Sequence, residues 1–298
     1  MDVYRLFKLM SDRSSHNKRI AKNTLFLYLR MGLVLVVSLF STRVVLQALD
    51  IEDYGINNVV SGFVTMFAFL NTSMSNGVQR FYNFSLGRKN GYSIKDVYNT
   101  ALQIQAILAV TLLVPLETFG MWYIHTQMVI PIDRFAAAQW VFQFSVLSLV
   151  LLVLQIPYSA AIMAYEKMDY YAYLSIFDVL AKLGIAYIIK YTTFDKLILY
   201  GALNMLVSLI CFFLYYGYAK SHFQDLKSDF IIRKQLFKPM LYFSGWNGFG
   251  SFAYMIKSQG LNMLLNVFFG PVVNAARGVS NMAMSAIQGF QSNIVIAF

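Results

Sequence analysis

The sequence predicts an all-α protein, a polytopic membrane bundle of about eight transmembrane helices. Three observations predict it. The 298 residues are 58% hydrophobic and only 13% charged, about half the charged share of a soluble domain. The charges leave long gaps: 31 residues from Phe135 to Tyr165, 23 from Leu197 to Ala219 and 20 from Val97 to Leu116 carry none. A helix needs about 20 apolar residues to cross the hydrocarbon core, and a soluble core does not supply several such runs. Lastly, Lys and Arg crowd into alternate connections between the apolar runs.

Taken in order, the first 22 residues, ending His16-Asn17-Lys18-Arg19-Ile20-Ala21-Lys22, form a basic, amphipathic cytoplasmic lead-in at the membrane surface. Spans are expected at 23–49, 55–79, 97–120, 135–163, 169–190, 196–219, 239–269 and 271–298. The seventh, as a straight helix, would be about 46 Å long. It carries Gly245, Gly248, Gly250 and Gly260, which predicts a tilt, bend or break. The turns at Asp50 and Gly270 lie 220 residues apart and begin similar hydropathic layouts, the outline of an internal repeat.

Orientation follows from the basic residues. The N-terminal segment and the second, fourth and sixth connections hold 16 Lys and Arg, against Arg134, Lys190 and Lys196 on the opposite side. Basic residues stay inside, so the N-terminus is placed in the cytoplasm. This distribution also accounts for the net charge of +10 without nucleic acid. The single Cys211 lies in an apolar run and offers no disulfide framework. No cleavable signal peptide is expected, because the first apolar run continues into a full span. His16, His125 and His222 fall outside the spans or at their edges. They form no catalytic or metal constellation, so neither an enzyme nor a resident cofactor is expected.

Three stretches carry a family resemblance. Asn23-Thr24-Leu25 followed by Leu46-Gln47-Ala48-Leu49-Asp50-Ile51-Glu52-Asp53-Tyr54-Gly55 resembles an "lG.eeyGiyn.v.g" pattern joining two helices. Asn71-Thr72-Ser73-Met74-Ser75-Asn76-Gly77-Val78-Gln79-Arg80-Phe81 resembles a second-helix terminus, and the run from Ile156 to Met168 a fourth-to-fifth connection. Together they resemble the polysaccharide-transporter branch, which includes O-antigen flippases, of the multidrug/oligosaccharidyl-lipid/polysaccharide exporter (MOP) superfamily. The resemblance implies two six-helix lobes related by pseudo-symmetry, and alternating-access transport of a polyprenyl-pyrophosphate-linked oligosaccharide. On that pattern, 23–219 is the first lobe, 220–238 a cytoplasmic connection, and 239–298 the first two helices of an incomplete second lobe. The expected location is the inner membrane, with the bilayer, the lipid-linked glycan and other polysaccharide-assembly membrane proteins as partners.

Ionisable residues inside spans mark pathways or partners, because a charge at bilayer depth is costly. Lys257 has no charge within eighteen residues on either side; its ammonium would meet a pyrophosphate or snorkel to the interface. Arg30 offers a guanidinium fork for phosphate or snorkels to the inner headgroups. Arg43 and Arg277 lie near span ends, with the same two readings. Asp178 and Lys182, four apart, share one helix face. They form either a structural ion pair or a coupling site at which sodium or a proton releases the lysine. Asn57, Asn71, Gln155 and Asn247 are candidate glycan contacts or interhelical hydrogen bonds. The alternatives to a flippase are a cation-coupled drug antiporter of the same superfamily and a truncated, non-transporting membrane protein. A membrane glycosyltransferase would need a larger outer loop than the one near 121–134.

Overall fold

The computed structural model describes residues 3–87, 91–126, 130–226 and 235–254, together with Lys257 and Met284. Among the described residues the structure is helical, and five helices are long and apolar enough to cross a membrane. They are Tyr28–Asp50, Ile94–Thr126, Ile132–Ala164, Met168–Tyr191 and Lys196–His222. The chain is thus a multi-pass membrane protein.

Helix α1 (Val3–Thr65) carries the first span and continues into the second. The turn expected at Asp50–Gly55 is reduced to one residue, Asp50, at φ 64° and ψ 167°. This region is essentially open only to glycine. The expected second span is itself divided, because Met66 and Phe67 separate α1 from α2 (Ala68–Leu86). Neither piece stands among the five apolar spans, since Asn57, Asn58, Ser61, Asn71, Ser73 and Asn76 make the stretch too polar.

Helix α3 (Ile94–Pro115) begins with a capping box: the Asp96 amide donates to Ser93 Oγ and the Ser93 amide to the Asp96 carboxylate. Reciprocal capping of this kind satisfies two otherwise orphan donors. Pro115 removes an amide at the far end, and the backbone widens into a π-helical turn, Leu116–Gly120, before α4 (Met121–Thr126). Helix α5 (Phe135–Ala164) is the post around which the others stand. It is buried over 67% of its apolar window, against 22–33% for the other four spans. Pro157 lies inside it, and neighbouring helices supply donors close by: Asn71 Nδ2 reaches the Leu152 carbonyl and Tyr82 Oη the Pro157 carbonyl.

A tight turn at Tyr165–Lys167, with Glu166 at φ 57°, leads into α6 (Met168–Tyr191). Helix α7 (Lys196–His222) is capped by Asp195, whose carboxylate accepts from the Leu197 and Ile198 amides. Helix α8 is described over 235–254. It packs on α2 through small residues: Ser73 Oγ donates to the Ser244 carbonyl at 2.6 Å, and Gly77 and Gly248 adjoin the same seam. Small residues let helix backbones approach closely where lipid tails offer no hydrophobic contrast. The expected eighth span lies outside the described residues, as do the side chains of the lead-in.

Candidate functional site

Five helical stretches surround a cavity of about 670 Å³ inside the bundle. The wall is written in helical periodicity. Asn57, Ser61 and Val64 descend one face of α1 beyond its break; Ser145, Ser148, Leu152 and Gln155 descend α5; Gly201, Asn204, Ser208, Cys211 and Tyr215 descend α7. Steps of three and four residues keep each set on one face. From Tyr200 to Tyr215 the cavity runs about 22 Å along α7, much of the thickness of a hydrocarbon core.

Three charges face this space. On α6, Tyr171, Ser175, Asp178 and Lys182 form one stripe. Lys182 Nζ lies 2.8 Å from Asp178 Oδ2, and both residues line the cavity, their side chains 46% and 33% exposed. Asp178 sits ten residues into a 24-residue helix, so about 15 Å from its start and near mid-membrane. Arg30 approaches from α1. Its guanidinium lies 5.0 Å from the centre of the Tyr171 ring, and Nη1 donates to Ser175 Oγ at 3.4 Å. Among the described residues, two cations and one carboxylate line the cavity, an excess of one positive charge.

The serines of the wall have a definite polarity. Ser61, Ser145, Ser148, Ser175 and Ser208 each donate their hydroxyl proton to the carbonyl four residues earlier in their own helix. Asn204 does the same with its amide, Nδ2 to the Tyr200 carbonyl at 2.8 Å. A hydroxyl has one proton and two lone pairs. Once the proton is given to the backbone, what remains for a ligand is lone pairs. The serines therefore accept hydrogen bonds, and the donors are Arg30 and Lys182 together with the amides of Asn57, Gln155 and Asn204 and the phenols of Tyr200 and Tyr215.

Of the residues singled out by sequence, the cavity brings together Arg30, Asp178, Lys182, Asn57 and Gln155. Asn71 is committed to the Leu152 carbonyl at 3.2 Å, outside the lining. Arg43 is exposed and Asn247 half-buried, and neither lines the cavity. Lys257 is exposed and is not among the lining residues, while Arg277 lies outside the described residues. The serine wall, Tyr215 and Cys211 were not singled out as ligands. Their signal was a Ser or Asn at each helical turn of an apolar run, as in Asn57/Ser61 and Asn204/Ser208. The tyrosine cluster at the end of α7 divides: Tyr215 reaches the cavity, whereas Tyr218 stacks on Tyr170 with centroids 3.6 Å apart.

The described helices form a bundle around a charged cavity of ligand size. Solved structures share the fold. One superposes with a TM-score of 0.74 at 14% identity, over 94% of this chain and 63% of its own length. Another, a MOP superfamily transporter from Pyrococcus furiosus described as having a binding pocket of reverse polarity, superposes with a TM-score of 0.68 at 12% identity. That match covers 93% of this chain and 63% of the transporter. At such identities the likeness is one of fold, and this chain spans about 63% of the length of each. No family model and no curated protein matches the sequence.

Proposed function

We propose that this chain belongs to a MOP-type transporter that moves a polyprenyl-pyrophosphate-linked oligosaccharide across the inner membrane by alternating access. The N-terminus is cytoplasmic, in keeping with sixteen basic residues against three across alternate connections. Residues 23–219 form one lobe and α8 begins its partner. The observation that carries the reading is the cavity, where an excess positive charge among the described residues and a wall of serine acceptors interspersed with amides and phenols lie at bilayer depth. Arg30 and Lys182 are donors suited to an anionic group, and sugar hydroxyls donate readily to the serine lone pairs. Lys257 and Arg277 are the further cations assigned to the pyrophosphate.

The test is complementation of a strain lacking its own flippase, read as surface glycan. Wild type restores the glycan; Arg30→Ala and Lys182→Ala each lower the rate of export about tenfold or more, the scale of one lost charge-assisted contact. Export at the wild-type rate in the double variant overturns the assignment, and an undiminished Lys257→Ala variant removes Lys257 from it.

One feature favours a second reading, a cation-coupled antiporter. Asp178 stands at mid-membrane beside oxygen acceptors, the surroundings of a sodium or proton site. Uptake by vesicles under an imposed sodium or proton gradient separates the two readings. Dye exchange that depends on the gradient and is abolished by Asp178→Asn selects the antiporter.

A further inference from the structure

At one end of the bundle, three connections meet on one side chain. Arg134, just before α5, places Nε 2.7 Å from Asp53 Oδ1 and a second nitrogen on Oδ2 of the same carboxylate. Its remaining nitrogen, Nη1, donates to Asp195 Oδ2 at 2.8 Å. Asp195 simultaneously caps α7 with its other oxygen. A bidentate fork of this kind is both strong and directional. Its side chains are 23% (Arg134), 15% (Asp53) and 33% (Asp195) exposed, so water screens the cluster only in part.

The position matters as much as the strength. Asp53, Asn57, Ser61 and Val64 follow one another at steps of four, four and three, so Asp53 heads the stripe that lines the cavity. Asp195 stands at the head of α7, five and six residues before the lining residues Tyr200 and Gly201. Arg134 precedes the lining residue Phe144 by ten residues, about 15 Å of helix. Three walls of the cavity thus converge on one guanidinium.

We infer that the Arg134 fork to Asp53 and Asp195 is a gate that bars the cavity from the side bearing the 191–196 connection. With the fork made, the heads of α1's second part, α5 and α7 are drawn together. With it broken, they separate, and solute reaches the cavity from that side.

Nature has left a reporter in place. Cys211 is the single cysteine of the sequence; it lines the cavity, sixteen residues along α7 from Asp195, or about 24 Å. Full-length protein is placed in right-side-out and inverted membrane vesicles. The rate at which a charged, membrane-impermeant methanethiosulfonate labels Cys211 is then measured. In wild type, labelling from the 191–196 side is slow. Arg134→Ala and Asp53→Asn raise it about tenfold, as expected when a charge-assisted contact no longer favours the closed state. Labelling from the opposite side does not rise. Arg134→Lys, which keeps the charge but cannot span both carboxylates, gives a smaller rise and serves where Arg134→Ala does not accumulate. Equal rates in wild type and variants overturn the gate, and so does a rise from both sides, which reports general loosening. Because the reading of sides rests on the proposed orientation, Thr193→Cys in a Cys211→Ser chain locates the 191–196 connection independently. Its labelling from the cytoplasm would reverse the orientation while leaving the gate intact.

Discussion

Asp50 holds a backbone conformation that costs an L-residue on the order of 1–3 kcal/mol and glycine almost nothing. The break is needed there, because α1 must finish one span and begin the next without a loop. The family pattern that the sequence resembles has glycine at this position. Asp50→Gly therefore raises stability by about 1 kcal/mol, read as a higher midpoint of thermal unfolding in detergent; an unchanged or lower midpoint refutes the strain. A second residue speaks to pH. The Tyr165 phenol, in the turn between α5 and α6, is pushed up to about 12 by burial and then by the neighbouring Asp225 carboxylate. A pKa raised on folding contributes stability that is whole below pH 10 and lost as the pH climbs toward 12. Ultraviolet titration of wild type against Tyr165→Phe checks this. The difference spectrum, one phenolate, appears with a midpoint near 12; a midpoint near 10 contradicts the burial.

Between elements, the α2–α8 seam is closely packed through small residues. A Cβ on Gly77 would lie 2.1 Å from Ser244 Oγ and 3.2 Å from Ser244 Cβ. The hydroxyl can rotate, but the β-carbon moves only with the helix. Phe243 fixes that helix further, since it sits 4.3 Å beneath the Arg80 guanidinium and edge-on to Phe81. Gly77→Ala thus costs about 1–3 kcal/mol, the usual penalty of overpacking, and Ser244→Gly in the same chain recovers most of it. Unfolding midpoints of the two singles and the double give the coupling; additive effects would mean that the two residues do not touch. Such a seam was only half legible in advance. The glycines of α8 announced close packing or bending, but nothing local shows that their partner is α2, 171 residues away in the case of Ser73 and Ser244. The Arg134 fork was hidden for the same reason, its carboxylates lying 81 and 61 residues distant. By contrast, the charge-free runs disclosed most spans, because bilayer thickness acts on each helix separately. The second span was misjudged as one continuous element, since Asn57 and Ser61 answer to the cavity and Asn71 and Ser73 to neighbouring helices rather than to lipid.

For the whole molecule the decisive object is the Asp178–Lys182 pair, legible as a contact from its spacing alone but not as a role. Two opposite charges held 2.8 Å apart near mid-membrane let a polar cavity exist without leaving either ion uncompensated. That would be true of a purely structural pair as well, so stability alone does not discriminate. A double-mutant cycle read twice does. Asp178→Asn leaves Lys182 uncompensated, and Lys182→Gln leaves the aspartate so. Each lowers stability, though by only about 1 kcal/mol, because both side chains are partly exposed. The double variant Asp178→Asn/Lys182→Gln removes both charges and returns the unfolding midpoint close to wild type in either case. Transport separates the roles. If the pair only neutralises itself, export returns together with stability. If it grips an anion or binds a coupling ion, the double variant folds and inserts like wild type yet exports no better than the singles. The proposed function expects the second outcome, and recovery of export in the double variant would reduce the pair to scaffolding.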